Sequence, residues 1–289
     1  MLEKGGDMAY ERILYQKIEP GIVKVTMNRP EARNAQDWLM LEELQDAFVE
    51  ADLDEEIRVI ILAGAGKDFC ASHDVSGKGQ DARGPIIGRA MATKLTGMEG
   101  HMKKEDYVDY KQGQAMHNVS KPTIAMVQGN AISAGWQAAS MCDLIVASED
   151  AQFREVLPTR LAFAAIEILF HPYDVGFRKA KEMMWTGEPI SAQEAQRLGL
   201  VSRVVPREKL EAETLALARK IAAAAPVVAS LIKRSLNYAL DQMGQRNAWE
   251  YHMLIHQLSH ASEESKRVSA ERTRARDEGG KKELFRERQ

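Results

Sequence analysis

Short apolar runs separated by polar, glycine-containing segments are the feature that most constrains the fold of this chain. The runs "IRVIILAGAG", "PTIAMVQGNAISA" and "DLIVASEDAQF" each have the length and apolar content of a buried strand. A short helix is expected between the second and third runs, beginning near Gly135. Strands that alternate with helices in this way predict an α/β fold.

The other segments follow from the same kind of pattern. Residues 13–18 and 21–30 flank a Glu-Pro-Gly turn and predict a hairpin, and residues 37–54 have helical spacing of their apolar positions. Residues 76–120 are polar and rich in glycine, with a helix expected only around 107–117; such a connection is typical of a substrate-covering lid or a disordered loop. The chain from Glu167 onward is predicted to be mostly helical, with a charged, solvated end after His260.

Composition limits the class of protein. The 289 residues, 45% of them hydrophobic, predict one large domain with an appended terminal segment. A net charge of −3 argues against nucleic acid, and no apolar run approaches the ~20 residues that span a bilayer. The opening "MLEKGGDMAYERIL" has no apolar secretion core, and Cys70 and Cys142 match no metal spacing. We therefore expect a cytoplasmic protein that binds no metal, nucleic acid or membrane.

Five segments between about Tyr10 and Leu240 occur in one order: "NRPEARNA", "GAGKDFCASHDV", "KPTIAMVQGNAISAGWQAASMCDLIVASEDAQF", "VGFRKAKEMMWTGEPISAQEAQRLGLVSRVVP" and the helix around Lys233. Together they resemble the successive signatures of the crotonase family, also called the enoyl-CoA hydratase/isomerase family. The resemblance implies a crotonase-like spiral of ββα repeats over residues 8–208 and a helical oligomerisation region over residues 209–289. It also implies a homotrimer or a dimer of trimers.

The resemblance implies an acyl-CoA thioester as the substrate, with coenzyme A present only as part of that substrate and no bound cofactor. The thioester oxygen would lie between two backbone N–H groups that stabilise enolate or oxyanion charge. His73, before the aspartate of "CASHDV", and Ala134, in "ISAGW", would supply these two donors. Ala134 stands where a short helix begins, and a helix N-terminus favours negative charge.

The acid-base residues of the hydratases are missing from the places that the resemblance assigns to them. One hydratase glutamate lies three residues after the second donor, where this chain has Gln137. The other lies shortly after the phenylalanine of "AQF", where the chain has Leu157 or Pro158, depending on the alignment. Glutamine can orient a water molecule but cannot take its proton, and the other two residues do not titrate. An ordinary hydratase mechanism is therefore not expected.

Several groups could replace the missing glutamates. Glu155 could turn into the pocket, although an ion pair with a neighbouring arginine is an equal alternative. Glu167 lies in the apolar run "LAFAAIEILF", where a buried carboxylate is expected to be paired or functional. The side chain of His73 could transfer a proton near neutral pH. His171 and Asp174 are further candidates, although "HPYD" is also typical of a turn.

The resemblance also assigns residues to the coenzyme A part of the substrate. Arg33 stands where family members often present a basic residue, and Ala35 follows where the pantetheine would pass. Ala71 and Asp74 flank the first donor, near the expected adenine contact, and Leu157 is expected to contact the substrate.

Two classes of function remain open. The first is an enzyme, a lyase or isomerase of this family, that acts on a CoA thioester with a relocated base; isomerase, hydrolase, decarboxylase and ring-cleaving variants all fit. The second is a non-catalytic protein that binds acyl-CoA. The long segment after His73 favours an enzyme, because lids exclude water from chemistry.

Overall fold

The computed structural model describes residues 10–75, 83–84 and 86–277. Within them, strands and helices alternate through the first two thirds of the chain. The strands are β1 Ile13–Glu19, β2 Ile22–Met27, β3 Val59–Gly64, β4 Thr123–Val127, β5 Asn130–Ile132, β6 Leu144–Ser148, β7 Gln152–Arg154, β8 Ile190–Ser191 and β9 Arg203–Val205. The first helices are α1 Trp38–Leu53, α2 Ile87–Met91, α3 Gly97–Glu105, α4 Lys111–Asn118, α5 Ala134–Ser140, α6 Leu157–Leu161 and α7 His171–Val175. The later helices are α8 Phe177–Thr186, α9 Ala192–Leu198, α10 Leu210–Ala222, α11 Pro226–Gln242, α12 Gln245–His260 and α13 Glu263–Asp277.

Two sheets carry the fold. The larger has the order β1-β2-β3-β4-β6-β9, with an antiparallel β1–β2 hairpin and parallel pairing elsewhere. The smaller has the order β5-β7-β8. The predicted hairpin, the strand of the first apolar run, the short helix near Gly135 and the α/β class are confirmed. The second and third runs each hold two strands where one was expected, β4 with β5 and β6 with β7, and the second strand of each pair belongs to the smaller sheet. The short strands β8 and β9 were not predicted, because two or three residues show no readable alternation.

Both faces of the larger sheet are covered, which explains why its strands are continuous apolar runs. Alternate side chains of β3 point to opposite faces. Val59 and Ile61 lie in the cluster that α10 covers, whereas Ile60 and Leu62 lie in the main core with α1. The C-terminal helix α10 therefore packs directly on the sheet. The division at residue 208 stays a prediction.

The connection before β4 differs from its prediction. An irregular segment was expected, with one helix around 107–117, but the described part of it is largely helical: α2, α3, a π-helical turn Asp106–Tyr110 and α4. Only a few of its apolar side chains, such as Ile87, Val108 and Met116, are buried, and they are spaced among many polar ones, so the sequence pattern was weak. Residues 76–82 and 85 of the proposed lid lie outside the described residues.

No single helix among the described residues is long and apolar enough to cross a membrane, although the bent pair Arg207–Ala222 and Pro226–Gln242 together meets the length and composition requirement.

Candidate active site

The segment that contains His73 lies beside residues 33–36. Gln36 accepts a hydrogen bond from the Asp74 N–H at 2.8 Å and donates its own N–H to the Ser72 oxygen at 2.9 Å. Gln36 and His73 lie opposite each other in a parallel β-bridge. In such a bridge, the N–H and C=O of the residue opposite Gln36 point away from the segment that contains Gln36. The N–H of His73 is thus directed away from Gln36, as an oxyanion donor would require.

Ala134 is the first residue of α5, so its N–H has no acceptor within the helix. The start of α5 lies against the chain just before His73. A Cβ atom built on Gly135 would come within 2.3 Å of the Cys70 carbonyl oxygen, which also accepts the Ile132 N–H at 3.0 Å. This close approach requires glycine at that position and brings the two donor segments together. That both N–H groups bind one oxygen stays a prediction.

The residue before each predicted donor has an unusual backbone conformation. Ser72 has φ 87°, and Ser133 has φ 43° and ψ −104°. Non-glycine residues in such conformations cost roughly 1–3 kcal/mol each and are found where the surrounding structure holds them in place. The serine at position 72 is thus accommodated with a positive φ.

Glu155 holds one of these strained residues. Its fully buried carboxylate accepts hydrogen bonds from the Ser133 hydroxyl at 2.7 Å, the Leu157 N–H at 2.9 Å and the Ile166 N–H at 3.3 Å. The His171 Nε2 lies 3.4 Å from the same carboxylate. This geometry gives Glu155 a positioning role, while its predicted role in proton transfer stays a prediction.

Glu155→Gln is expected to lower the free energy of unfolding by about 1–3 kcal/mol, because the amide nitrogen must face a buried group that needs an acceptor. Urea denaturation measures this change, with Glu149→Gln on an exposed side chain as the matched control. Unchanged stability combined with lost turnover would instead support a direct chemical role for Glu155.

Gln137 occupies the place of the first hydratase glutamate, on α5. Its Oε1 accepts the Ile168 N–H at 3.1 Å, and its side chain is buried. Ile168 follows Glu167, so the Gln137 side chain fixes the segment that carries this carboxylate. Helix α4 approaches from the other side, where a Cβ on Gly113 would lie 3.4 Å from the Gln137 Nε2.

Three titratable side chains from separate segments meet beside these residues. His73 Nε2 lies 3.5 Å from Glu167 Oε2 and 3.5 Å from Asp109 Oδ1. Asp109 belongs to the π-helical turn Asp106–Tyr110, a type of distortion that is frequent at functional sites. His73 Nε2 and Glu167 Oε2 are buried and have no hydrogen-bond partner among the described residues. These two atoms face each other at 3.5 Å and interact through their charges.

The three groups shift one another's pKa values in different directions. Burial would lower the pKa of His73, but Asp109 and Glu167 outweigh it and raise that pKa to about 9. Burial raises the pKa of Asp109 well above its ordinary value, against the opposing effect of His73. Burial would also raise the pKa of Glu167, but His73 and His256 hold it below its ordinary value. Two carboxyl groups with opposite shifts are typical of an acid and a base in one site.

The loop that carries Glu167 is fixed by α12. The His252 Nε2 lies 2.9 Å from the Ile166 oxygen, the His256 Nδ1 lies 2.6 Å from the Ala165 oxygen, and the Ser259 hydroxyl accepts the Ala164 N–H at 3.0 Å. Helix α12 thus contributes to the site, which the sequence did not indicate. Asp109 was also missed, because it lies in the helix expected around 107–117 but matches no motif.

The predicted coenzyme A residues form one neighbourhood. The Ala71 N–H donates to the Arg33 oxygen at 3.0 Å, and Arg29 bridges the Ala35 oxygen and the Asp74 carboxylate. The Arg33 side chain is 53% exposed and pairs with Asp68 at 2.8 Å. Leu157 is buried at the start of α6.

The other two candidates have partners elsewhere. His171 is fully buried, stacks on Phe170 and packs edge-on against Trp136. Asp174 accepts a hydrogen bond from the Ser140 hydroxyl at 2.5 Å, and burial raises its pKa to about 7.

Comparison with known proteins defines the class. The model of the enoyl-CoA hydratase/isomerase family matches residues 17–276. A Mycobacterium tuberculosis protein named "Putative enoyl-CoA hydratase EchA13" is 41% identical over 260 residues, which cover 87% of this chain and 81% of that protein.

Solved structures agree in fold. A probable enoyl-CoA hydratase from Mycobacterium smegmatis is 37% identical with a TM-score of 0.77, over 86% of this chain and 94% of the other. An enoyl-CoA hydratase/isomerase from Xanthobacter autotrophicus Py2 is 29% identical with a TM-score of 0.81, over 96% and 97%. The chain belongs to the enoyl-CoA hydratase/isomerase family, and the predicted family and crotonase-like fold are confirmed.

Proposed function

We propose that this protein is an enzyme that forms an enolate of an acyl-CoA thioester, with Glu167 as the base and Asp109 as the acid. The backbone N–H groups of His73 and Ala134 bind the thioester oxygen. The observation that carries the proposal is the meeting of His73, Asp109 and Glu167, with unpartnered atoms on His73 and Glu167. The His73 imidazole belongs to the same residue as one of the two oxyanion donors. In this proposal the imidazolium and the backbone N–H of His73 therefore act on the same substrate.

The proposed chemistry balances without any further reactant. The Glu167 carboxylate removes a proton from the carbon next to the thioester carbonyl, and the electron pair of the C–H bond moves onto the carbonyl oxygen. The two N–H groups stabilise the negative charge there, a contribution of several kcal/mol in a water-poor site. The protonated His73 lies between the two carboxyl groups and adds positive charge near the enolate. Asp109, a neutral acid, gives a proton to another carbon in an isomerisation. His73, which lies 3.5 Å from both groups, then gives its proton to Asp109 and takes one from Glu167, so that all three groups return to their starting states.

An ordinary hydratase is a different proposal, and the names of the relatives support it. Hydration needs a group that deprotonates water at the places occupied here by Gln137 and Leu157, which cannot do so. We therefore expect isomerase, hydrolase, decarboxylase or ring-cleaving chemistry in preference to hydration. A protein that only binds acyl-CoA is the remaining alternative, since the binding residues do not depend on a base.

We expect crotonyl-CoA to bind but to be hydrated very slowly, since each positioned acid or base typically contributes ~10²–10⁴-fold. Calorimetry measures binding, and loss of the enoyl absorbance on the same preparation measures hydration. A panel of acyl-CoAs then identifies the substrate that turns over. Rapid hydration of crotonyl-CoA would contradict the proposal, and binding of the whole panel without turnover would favour the non-catalytic alternative.

Coenzyme A is proposed to enter only as part of the substrate, with Arg33 near its phosphates.

A homotrimer or a dimer of trimers is part of the same proposal. Helix α11 exposes an apolar face that water would otherwise contact, formed by Val227, Val228, Leu231, Ile232, Leu236 and Tyr238. Light scattering at micromolar concentration is expected to give the mass of three or six chains. Leu231→Glu with Leu236→Glu is expected to shift the mass toward one chain, whereas the control Gln196→Glu, at an exposed position of α9, is not. A monomeric wild type would contradict this arrangement.

A further inference from the structure

A second cluster of titratable side chains lies on the far side of Glu167 from His73. Glu105, at the end of α3, is surrounded by His101 from the preceding turn and by His256 and His260 from one face of α12. The Glu105 Oε1 lies 2.9 Å from His101 Nε2, 3.3 Å from His256 Nε2 and 3.1 Å from His260 Nε2. None of these four residues reacts directly in the proposed enolate chemistry, although His256 helps to fix the loop that carries Glu167.

Hydrogen bonds leave this cluster incompletely satisfied. The His101 Nε2 is buried and close to Glu105 Oε1, but it has no hydrogen-bond partner among the described residues, and neither has Glu105 Oε2. The Nε2 atoms of His256 and His260 lie 3.0 Å apart, so at least one of them presents a lone pair to the other. His256 Nε2 also forms a hydrogen bond with Glu105 Oε1, so it is His101 Nε2 and Glu105 Oε2 that retain unused capacity to bind a further group.

The orientation of His256 supports the same interpretation. Its Nδ1 lies 2.6 Å from the Ala165 carbonyl oxygen, which can only accept, so Nδ1 carries a proton. In the neutral imidazole, Nε2 is then an unprotonated nitrogen directed at Glu105 and His260. A backbone carbonyl that fixes the tautomer through the second ring nitrogen is the usual support of a metal-binding histidine.

We propose that Glu105, His256 and His260 bind a divalent transition-metal ion, with His101 as a fourth ligand. The first three ligand atoms form a triangle with sides of 3.0, 3.1 and 3.3 Å. Zinc bonds of ~2.0–2.2 Å to imidazole and carboxylate put tetrahedral ligands roughly 3.3 Å apart, which matches these sides. Nitrogen and oxygen ligands of this kind suit Zn²⁺, Co²⁺ and Ni²⁺.

The cluster has an approach from solvent and a connection to the active site. The His101 side chain is 38% exposed, whereas that of His256 is buried, so an ion would enter past His101. His256 Nε2 lies 3.6 Å from Glu167 Oε1. A bound cation would therefore help to keep Glu167 in place and ionised. The proposal does not depend on which reaction the protein catalyses.

The test is calorimetric titration of the chelator-treated full-length protein with Zn²⁺. We expect one site per chain, and a visible absorption band of tetrahedral type when Co²⁺ replaces Zn²⁺. Glu105→Gln and His260→Ala are expected to weaken Zn²⁺ affinity by at least ~10–100-fold, the effect that the loss of even an outer-shell partner causes. Glu99→Gln, on the same helix and exposed, is the matched control and should bind as the wild type does.

The His101 side chain is partly exposed and is not part of the core. The His101→Ala variant is therefore expected to fold even if a variant at a buried ligand does not. It is expected to keep the circular dichroism of the wild type, to bind Zn²⁺ more weakly and to lose the tetrahedral Co²⁺ band. Absence of stoichiometric Zn²⁺, Co²⁺ and Ni²⁺ binding to the folded wild type would overturn the proposal. Equal affinity in the wild type, Glu105→Gln and His101→Ala would overturn it as well, because the ion would then bind elsewhere.

Discussion

Glu167→Gln is expected to lower kcat for the productive acyl-CoA by ~10²–10⁴-fold, the usual contribution of a positioned base. The glutamine keeps the size of the side chain but cannot accept the substrate proton. The KM is expected to change far less, because substrate binding depends on the N–H donors and on the coenzyme A contacts. Steady-state kinetics on the substrate identified from the panel measures both quantities, with Glu188→Gln on an exposed side chain as the control.

A purely structural role for Glu167 predicts a different pattern. In that case Glu167→Gln would lower thermal stability and raise KM, while kcat per folded molecule stayed close to that of the wild type. The Asp109→Asn variant tests the second carboxyl group independently, because Asp109 is the proposed acid and Glu167 is the proposed base. If neither substitution lowers kcat, the assignment of acid and base to this cluster is wrong.

Ala134→Pro is expected to lower kcat/KM by ~10²–10³-fold, equivalent to roughly 3–4 kcal/mol of transition-state stabilisation. Proline removes the N–H of this residue and fixes its φ near the helical value. The first position of a helix tolerates proline, and Ala134 is the first residue of α5. Ala134→Ser keeps the N–H and is therefore the matched control.

Circular dichroism must show that both Ala134 variants fold, because Ser133 before this position already has a strained conformation. A folded Ala134→Pro variant with the turnover of the wild type would remove Ala134 from the oxyanion site.

The larger sheet could be predicted because its strands are buried on both faces and stand out as apolar runs. Of the helices before β4, the one around 107–117 was predicted, but α2 and α3 were not, since they bury few apolar side chains between many polar ones. That error hid Glu105, which lies at the end of α3.

The candidate site was predictable only where residues are neighbours in the chain or match the family's motifs. His73, Ala134 and Gln137 followed from motifs, and Glu167 from the physical cost of a carboxylate in an apolar run. The contribution of α12 requires the three-dimensional structure, because His256 lies 151 residues from Glu105. One local signal was available: His101 and Glu105, like His256 and His260, are four residues apart and therefore share a helix face.

Exchange of the proton next to the thioester carbonyl tests the central claim most directly. The tightest-binding acyl-CoA with such a proton is incubated with the enzyme in D₂O and followed by mass spectrometry and proton NMR. The account predicts deuterium at this carbon with the wild type, and exchange slowed by at least ~10²-fold in Glu167→Gln and Ala134→Pro. No exchange above the enzyme-free rate in any bound acyl-CoA, or equal exchange in all three proteins, would contradict it.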